Sequence, residues 1–301
     1  MKSKDESMGN VVALGGFGSL HRDHRKLIAT AKKIAGEMNA TLCIYTFDDA
    51  LIRHKGSKAL MSMAKRMELF EEMGAEKIIV QKFDDTFKNL SPEEFVREIL
   101  VKKLSCVCAV TGENFRFGKN AIGNSDTLKE LCEKYSIKCE ILPLEKTEEG
   151  DVISTSLLCK LAEQGRVKEI YELCGNFFTF SGEVVHGRAE GRKIGFPTIN
   201  MELGKEVVLP GCGVYASMVE LDGKTYPGIT NIGNAPTYGE TRELAETHII
   251  GVNRDMYGRF IEIKLVEKIR DIKRFSSPEE LIAQLEKDSK KATQICKQYI
   301  K

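Results

Sequence analysis

The stretch that decides the fold of the first half of this chain is Val11-Val-Ala-Leu-Gly-Gly-Phe-Gly-Ser-Leu-His-Arg-Asp-His24. Its first four residues are continuously apolar, which is typical of a strand buried on both faces of a parallel sheet. A glycine-rich turn follows, and a helical pattern near His24–Glu37 comes directly after it. Such a turn lets the backbone approach a phosphate closely, while the helix start offers free N–H groups. The segment therefore predicts a strand, an anion-binding turn and a helix.

The same alternation of apolar runs and helical patterns continues to about residue 175. It predicts further strands at Thr41–Tyr45, Lys77–Val80, Cys106–Val110 and Lys138–Leu142. It also predicts helices near Ser57–Glu72, Pro92–Lys103 and Ser125–Tyr135. Alternation of this kind predicts an α/β domain with a parallel, doubly wound sheet, whose ligands bind beyond the carboxyl ends of the strands.

The pattern changes after a helix predicted over Ser156–Cys174, which Gly175 would terminate. Short alternating stretches separated by Gly, Pro, Asn and Asp follow at Val207–Leu209, Gly213–Leu221, Thr247–Val252 and Phe260–Lys268. They predict an antiparallel β-barrel or sandwich, closed by an amphipathic helix from about Pro278. We place the domains at residues 1–176 and 177–301.

Composition limits the partners of the protein. The 301 residues favour two domains, and 45 Lys+Arg against 44 Asp+Glu leave no field to attract nucleic acid or a membrane. We find neither a signal-peptide pattern nor a long apolar run, so we expect a cytoplasmic protein. The nine cysteines are scattered and never spaced C-x-x-C, which favours buried thiols in a reducing compartment over metal or redox roles.

Two turns of the α/β half carry candidate chemistry. In the first, Gly15, Gly16 and Phe17 precede His21 and His24, which are three residues apart and can face the same phosphates. The alternative is a plain turn with surface histidines, because short glycine-rich turns are common. The second turn, Gly112-Glu-Asn-Phe-Arg-Phe-Gly118, carries the amide of Asn114 and follows the fourth strand. It would face a ligand at the same sheet edge, or be a loop anchored by its aromatic pair.

The second half carries its chemistry in Gly187-Arg-Ala-Glu-Gly-Arg-Lys-Ile-Gly-Phe-Pro-Thr-Ile-Asn200. The glycines allow a tight flap, and the basic residues supply charge for phosphates. We assign six of its residues to nucleotide binding: Gly187, Arg188, Gly191, Arg192, Gly195 and Pro197. Thr198 and Asn200 are two residues apart and would lie on the same side of a strand, and their oxygens suit Mg²⁺ carried on nucleotide phosphates. The alternative is a β-hairpin with a basic surface loop.

Residues 10–175 resemble the nucleotidyltransferase half of the prokaryotic bifunctional riboflavin kinase/FAD synthetase family, and residues 178–292 resemble its kinase half. The kinase resemblance continues through Gly213-Val-Tyr-Ala216, Gly228-Ile-Thr-Asn-Ile-Gly233 and Glu246-Thr-His-Ile-Ile250. It implies a Rossmann-like domain followed by a barrel with a terminal helix. Its implied substrates are riboflavin, FMN and ATP with Mg²⁺, and FAD is a further product if the first domain is active. Oligomeric state stays open, a homo-oligomer included.

The resemblance also implies residue roles. His21 and His24 would bind the transferred α-phosphate, while Asn114, Gly118, Ser154 and Thr155 match nucleotide-binding positions. Glu246 would be the general base that accepts the proton of the ribityl hydroxyl, unless it is only a solvated strand carboxylate. The flavin side would include Asn231, Arg270 and Phe275.

The first domain departs from the family pattern. The family motif reads Gly-x-Phe-Asp-Gly-x-His-x-Gly-His. This chain has Gly18 in place of the Asp, Ser19 in place of the next Gly and Asp23 in place of the Gly between the histidines. In a later motif, Leu157 replaces a phosphate-holding arginine. A carboxylate between two phosphate-binding histidines should repel a triphosphate. The alternative is therefore a monofunctional riboflavin kinase whose first domain senses a flavin or nucleotide, or is structural. A nicotinate- or pantetheine-type nucleotidyltransferase shares the histidine pair, but the attached barrel argues against it.

Overall fold

The computed structural model of the chain describes residues 9–49, 58–147, 150–187, 190–203, 207–237 and 240–300. They form two compact units that divide between Leu157 and Leu158. The first contains a five-stranded parallel sheet, and the second contains a closed six-stranded antiparallel barrel with a terminal helix. The predicted fold class is therefore confirmed. The boundary at residues 176–177 stays a prediction, because a division of contacts does not show which fragment folds alone.

The first unit alternates strands and helices as its apolar periodicity predicts. Its elements are β1 (Asn10–Leu14), α1 (Arg22–Met38), β2 (Thr41–Phe47), α2 (Met63–Glu72), β3 (Lys77–Gln81), α3 (Asp85–Lys88), α4 (Pro92–Glu94), β4 (Cys106–Gly112), α5 (Ser125–Lys134) and β5 (Lys138–Leu142). A π-helix, Phe95–Lys103, continues α4, and a short 3₁₀ turn spans Lys119–Ala121. The sheet order is β3-β2-β1-β4-β5.

The central position of β1 follows from its burial. Val11, Val12, Ala13 and Leu14 are at most 1% exposed, so both faces of this strand lie in the core. β1 pairs with β2 on one side and with β4 on the other. The strands after β1 are therefore added first on one side, as β2 and β3, and then on the other, as β4 and β5. Ligands of doubly wound sheets bind where the strand order reverses in this way.

The second part of the chain is mainly antiparallel. Its elements are α6 (Thr155–Glu163), α7 (Val167–Cys174), β6 (Phe178–Val185), α8 (Glu190–Lys193), β7 (Ile199–Glu202), β8 (Gly213–Leu221), β9 (Lys224–Thr237), β10 (Glu240–Ile249), β11 (Phe260–Arg270) and α9 (Pro278–Cys296). The barrel order is β10-β7-β6-β11-β8-β9. The β8–β9 hairpin turns at Asp222-Gly223, both with positive φ, as a two-residue turn requires.

Two predicted elements differ from the structure in more than their bounds. The single helix predicted over Ser156–Cys174 is two helices, because Gly165 adopts a left-handed φ of 74° and ends α6. A Cβ at Gly165 would lie 2.6 Å from the hydroxyl of Tyr215, so the break is also a close packing contact. Val207–Leu209 is not among the strands that the described residues form.

Two candidate active sites

The glycine turns of the first unit lie side by side. β1 and β4 are parallel neighbours in which Ala13 pairs with Val110, and the hydroxyl of Thr111 donates to the carbonyl of Leu14 at 3.3 Å. The turns that follow Leu14 and Gly112 therefore open at the same sheet edge, where the strand order reverses. This is the arrangement that the sequence predicts for a shared ligand.

The histidine pair lies at the start of α1. His21 is the residue before the helix and His24 is in its first turn, and their rings stack with centroids 3.8 Å apart. The Nδ1 atoms of both rings are buried without a hydrogen-bond partner. Burial lowers the pKa of His21 to about 4, and burial followed by the nearby His21 lowers the pKa of His24. Both rings are thus neutral and keep an Nδ1 atom without a hydrogen-bond partner, and the surface alternative does not fit His21, which is 4% exposed.

Buried contacts fix the shape of the first glycine turn. The carbonyl of Gly16 accepts a hydrogen bond from Nη1 of Arg66 at 3.2 Å, and Arg66 also pairs with Asp49. Phe17 has a φ of 48°, and its fully buried ring packs back over Gly15. Any contribution of Phe17 to nucleotide binding therefore comes from its backbone. The buried guanidinium of Arg66 and the ring of Phe17 therefore stabilise the conformation of this turn.

The late motif lies against the first motif. The hydroxyls of Ser19 and Thr155 are 3.0 Å apart, so the residue that replaces a family glycine bonds to the start of α6. The hydroxyl of Ser154 accepts the N–H of Leu157 at 3.3 Å, as a residue at a helix start does. Leu157 thus lies in the first turn of the helix that begins beside Ser19, and it offers no charge there.

The second glycine turn is closely packed. The side-chain oxygen of Asn114 would lie 3.3 Å from a Cβ at Gly112, so the exposed amide folds back over its own turn. Gly118 has a φ of 75°, and a Cβ there would lie 2.9 Å from Pro92. Gly118 is therefore needed for close packing, whereas Asn114 is placed where it can reach a ligand at the sheet edge.

Asp23 stands beside the histidine pair, as its position in the motif predicts. Its Oδ2 lies 3.8 Å from Nδ1 of His21, and both of its oxygens lie 3.3 Å from the backbone nitrogen of Glu145. Burial is the main cause that raises the pKa of Asp23. Lys26 pairs with the Glu145 side chain at 3.0 Å. The added carboxylate thus ties α1 to the chain after β5 and places negative charge near the ring that would hold a phosphate.

The second site lies on three neighbouring strands of the barrel. Glu246 on β10 pairs directly with Asn200 on β7 and with Asn231 on β9. Residues paired across strands project from the same face of a sheet, so the three polar side chains form one row. Glu246 is exposed, while Asn200 is 5% exposed. A carboxylate flanked by two amides is thus available at the barrel surface.

A glycine flap covers one end of this row. A Cβ at Gly187 would lie 2.1 Å from Nδ2 of Asn200, and a Cβ at Gly191 would lie 2.3 Å from the carbonyl oxygen of Phe196. Only glycine therefore fits at these two positions, because neighbouring atoms lie too close for a Cβ. Gly195 has a φ of 82°. The hydroxyl of Thr198 would lie 3.5 Å from the same Cβ at Gly191. The assignment of Arg188 falls outside the described residues.

A small cavity lies beneath the flap. Arg192, Pro197 and Thr198 line one side of it, and the segment 252–257 lines the other. The rings of Tyr257 and His186 stack with centroids 3.8 Å apart at this side of the barrel.

Sequence reasoning missed His248, whose Nδ1 lies 2.9 Å from the carbonyl oxygen of Pro197 and so supports the turn before Thr198. The signal that could have found it is its place two residues after Glu246, on a strand that pairs with β7.

The far end of the polar row meets the loop before α9. Arg270 ends β11, and its guanidinium lies 5.7 Å from the centre of the Phe275 ring. Ile272 is 52% exposed, and its Cδ1 would lie 3.3 Å from a Cβ at Gly233 on β9. An apolar surface therefore adjoins Asn231, which is two residues before Gly233.

Two further findings concern metals and membranes. Among the described residues, no group of three or more His, Cys, Asp or Glu side chains is arranged to hold a metal ion. None of the nine cysteines, all of which lie in the described ranges, forms a disulfide, and six of them are buried. No helix in the described ranges is both long and apolar enough to cross a membrane.

The fold and sites define a class of nucleotide-dependent transferases with one α/β site and one barrel site. A profile of the FAD synthetase family matches residues 3–156, and one of the riboflavin kinase family matches residues 174–296. The chain belongs to the bifunctional riboflavin kinase/FMN adenylyltransferase family.

Individual relatives cover both units. The bifunctional riboflavin kinase/FMN adenylyltransferase of Bacillus subtilis is 35% identical, over 96% of this chain and 93% of the relative. That of Escherichia coli K12 is 32% identical, over 93% and 90%. A crystal structure described as a macrolide-efflux protein from Streptococcus pneumoniae has a TM-score of 0.85, 27% identity and 96% coverage of both chains.

Proposed function

We propose that the barrel unit transfers the γ-phosphate of ATP to riboflavin and so makes FMN. The observation that carries this proposal is the row Asn200, Glu246 and Asn231, which lies beside the glycine flap. Glu246 accepts the proton of the ribityl hydroxyl as that oxygen attacks the phosphate. An exposed carboxylate between two amides can be reached by both substrates, riboflavin and ATP. The family membership of the chain supports the same reaction.

The nucleotide arrives as Mg²⁺–ATP. Thr198 and Asn200 supply neutral oxygens of the kind that Mg²⁺ accepts beside phosphate oxygens. Beside them, Gly187 and Gly191 lie so close to Asn200 and Phe196 that no larger residue fits, so the backbone of the flap stays against this pair. The metal supplies charge neutralisation at the transferred phosphate, while the flap and its Arg192 cover the phosphates and exclude water.

The test of the kinase assignment is Glu246→Ala. The matched control is Glu220→Ala, which changes an exposed carboxylate on β8. FMN formed from riboflavin and Mg²⁺–ATP is measured by chromatography. We expect Glu246→Ala to lose FMN formation by about 100-fold or more, with ATP binding retained, since a general base contributes on this scale. An unchanged turnover number would remove Glu246 from the mechanism.

The α/β unit adenylylates FMN to FAD in the same proposal. Its support is the stacked pair His21 and His24, whose buried Nδ1 atoms have no hydrogen-bond partner, together with the family match over residues 3–156. A second candidate, a monofunctional kinase with a sensing or structural α/β unit, is favoured by Asp23 and Leu157. Purified protein with FMN, ATP and Mg²⁺ separates the two: steady FAD formation that is lost in His21→Ala supports adenylylation, and none supports the second candidate.

Several broader properties belong to the same proposal. The enzyme works on small molecules, without nucleic acid or membrane partners. It works in the cytoplasm, since nine cysteines outside any disulfide suit a reducing compartment. Cell fractionation tests this location. Oligomeric state, including a homo-oligomer, is measured by light scattering. Limited proteolysis tests whether the domains part near residues 176–177, where a stable fragment should begin.

A further inference from the structure

A buried carboxylate lies behind the flavin side of the barrel. Asp288 on α9 is 2% exposed, and its Oδ2 accepts a hydrogen bond from Nε of Arg270 at 2.9 Å and forms an ion pair with Nη2 of Arg270, also at 2.9 Å. Its Oδ1 accepts a second hydrogen bond, from Nε2 of Gln284 at 2.9 Å. A carboxylate removed from water is costly unless it is paired and hydrogen-bonded, so these contacts fix the guanidinium in one orientation.

The loop after Arg270 connects it to the reacting row. β11 lies three strands from β10 in either direction around the closed barrel, so Arg270 reaches the row through this loop and not along its own strand. The Cδ1 of Ile272 would lie 3.3 Å from a Cβ at Gly233 on β9, and Asn231, two residues before Gly233, pairs with Glu246. With the ribityl hydroxyl of riboflavin at Glu246, its ring system would extend toward this loop.

The loop between Arg270 and α9 offers a surface for a flat ring. The guanidinium of Arg270 lies over Phe275, and its Nη1 donates to the carbonyl of Asp271 at 3.0 Å. Ile272 is 52% exposed beside Gly233. The loop is anchored again at its far end, because the Ser277 hydroxyl accepts the first-turn N–H of Glu280. Asp288 therefore orders the first end of a short loop that carries Ile272 and Phe275.

We propose that Asp288 is a positioning residue for riboflavin. It holds Arg270, and Arg270 holds Phe275 and the loop that packs against the flavin ring. The inference rests on the proposed kinase function, and it concerns substrate affinity rather than proton transfer. Breaking a buried ion pair by removing one partner leaves the other charge uncompensated. Loss of the Asp288 charge should therefore release Arg270 and disorder the ring side of the site.

The experiment compares Asp288→Asn with the wild-type full chain and with Glu220→Gln, an exposed carboxylate on β8. We expect the riboflavin KM to rise about 10- to 100-fold in Asp288→Asn. The ATP KM should change less than about twofold, and kcat at saturating riboflavin less than about threefold. A riboflavin KM within about twofold of wild type would overturn the proposal. Wild-type protein that makes no FMN would instead refute the kinase function itself.

A double variant separates positioning from fold stability. Arg270→Gln with Asp288→Asn removes both charges of the ion pair, so its melting temperature should recover toward wild type while its riboflavin KM stays raised. Recovery of both quantities would mean that Asp288 acts only on stability. Gln284→Ala serves if Asp288→Asn does not fold: it removes one hydrogen bond to Oδ1 and should raise the riboflavin KM about threefold, and an unchanged value would refute the positioning role.

Discussion

Replacing Asp23 by glycine tests whether this carboxylate limits adenylylation. The substitution restores the residue of the family motif at that position and removes the charge whose Oδ2 lies 3.8 Å from Nδ1 of His21. It also removes the acceptor for the N–H of Glu145. We expect faster FAD formation from FMN, because the α-phosphate held by His21 would no longer face a like charge.

The magnitude follows from the distance between the two charges. A phosphate oxygen bonded to His21 lies about 3 Å from the ring nitrogen, which places the phosphate charge about 6 Å from the Asp23 carboxylate. Repulsion between unit charges at about 6 Å is about 0.7 kcal/mol in water and about 3 kcal/mol at an effective dielectric constant of about 20. Because about 1.4 kcal/mol changes a rate tenfold, the expected gain is about 3- to 100-fold.

The assay is the initial rate of FAD formation at fixed ionic strength, resolved by chromatography. Asp126→Gly is the matched control, because Asp126 is also the second residue of a helix, in α5, but is exposed. Both variants should lose about 1 kcal/mol of stability from glycine in a helix, which melting curves report. An Asp23→Gly rate at or below wild type, with Asp126→Gly also at the wild-type rate, would refute the repulsion argument.

Two further predictions concern the flap and the histidine pair. Gly187→Ala should raise the ATP KM about tenfold or more, because its Cβ would lie 2.1 Å from Nδ2 of Asn200. The control is Gly36→Ala in α1, whose Cβ would meet no neighbour. An unaltered ATP KM in Gly187→Ala would contradict the flap contact. The pKa of His21 falls from 6.5 to about 4 on folding, so stability present above pH 6.5 is lost as the pH falls toward 4. Urea unfolding should show a loss of about 3 kcal/mol by pH 4, smaller in His21→Gln; equal pH dependence in both proteins would count against burial of a neutral ring.

Local sequence was sufficient for much of the first unit and for its histidine pair. Val11–Leu14 is continuously apolar and becomes the central strand, and His21 and His24 are close because both lie at one helix start. The helix predicted over Ser156–Cys174 was wrong, since the periodicity of its apolar residues continues across Gly165. A left-handed glycine packed against Tyr215 ends the helix, and that contact is not local.

By itself, the sequence determined the alternation of strands and helices in the first unit and the residue types at both sites. Periodicity and turn chemistry act over a few residues, so they identify a strand, a glycine turn or a flap. Only the tertiary structure decided that Asn200, Glu246 and Asn231 form one row, because strand register depends on pairing between distant segments. It also decided that Asp288 holds Arg270, since a buried ion pair exists only after α9 packs on the barrel.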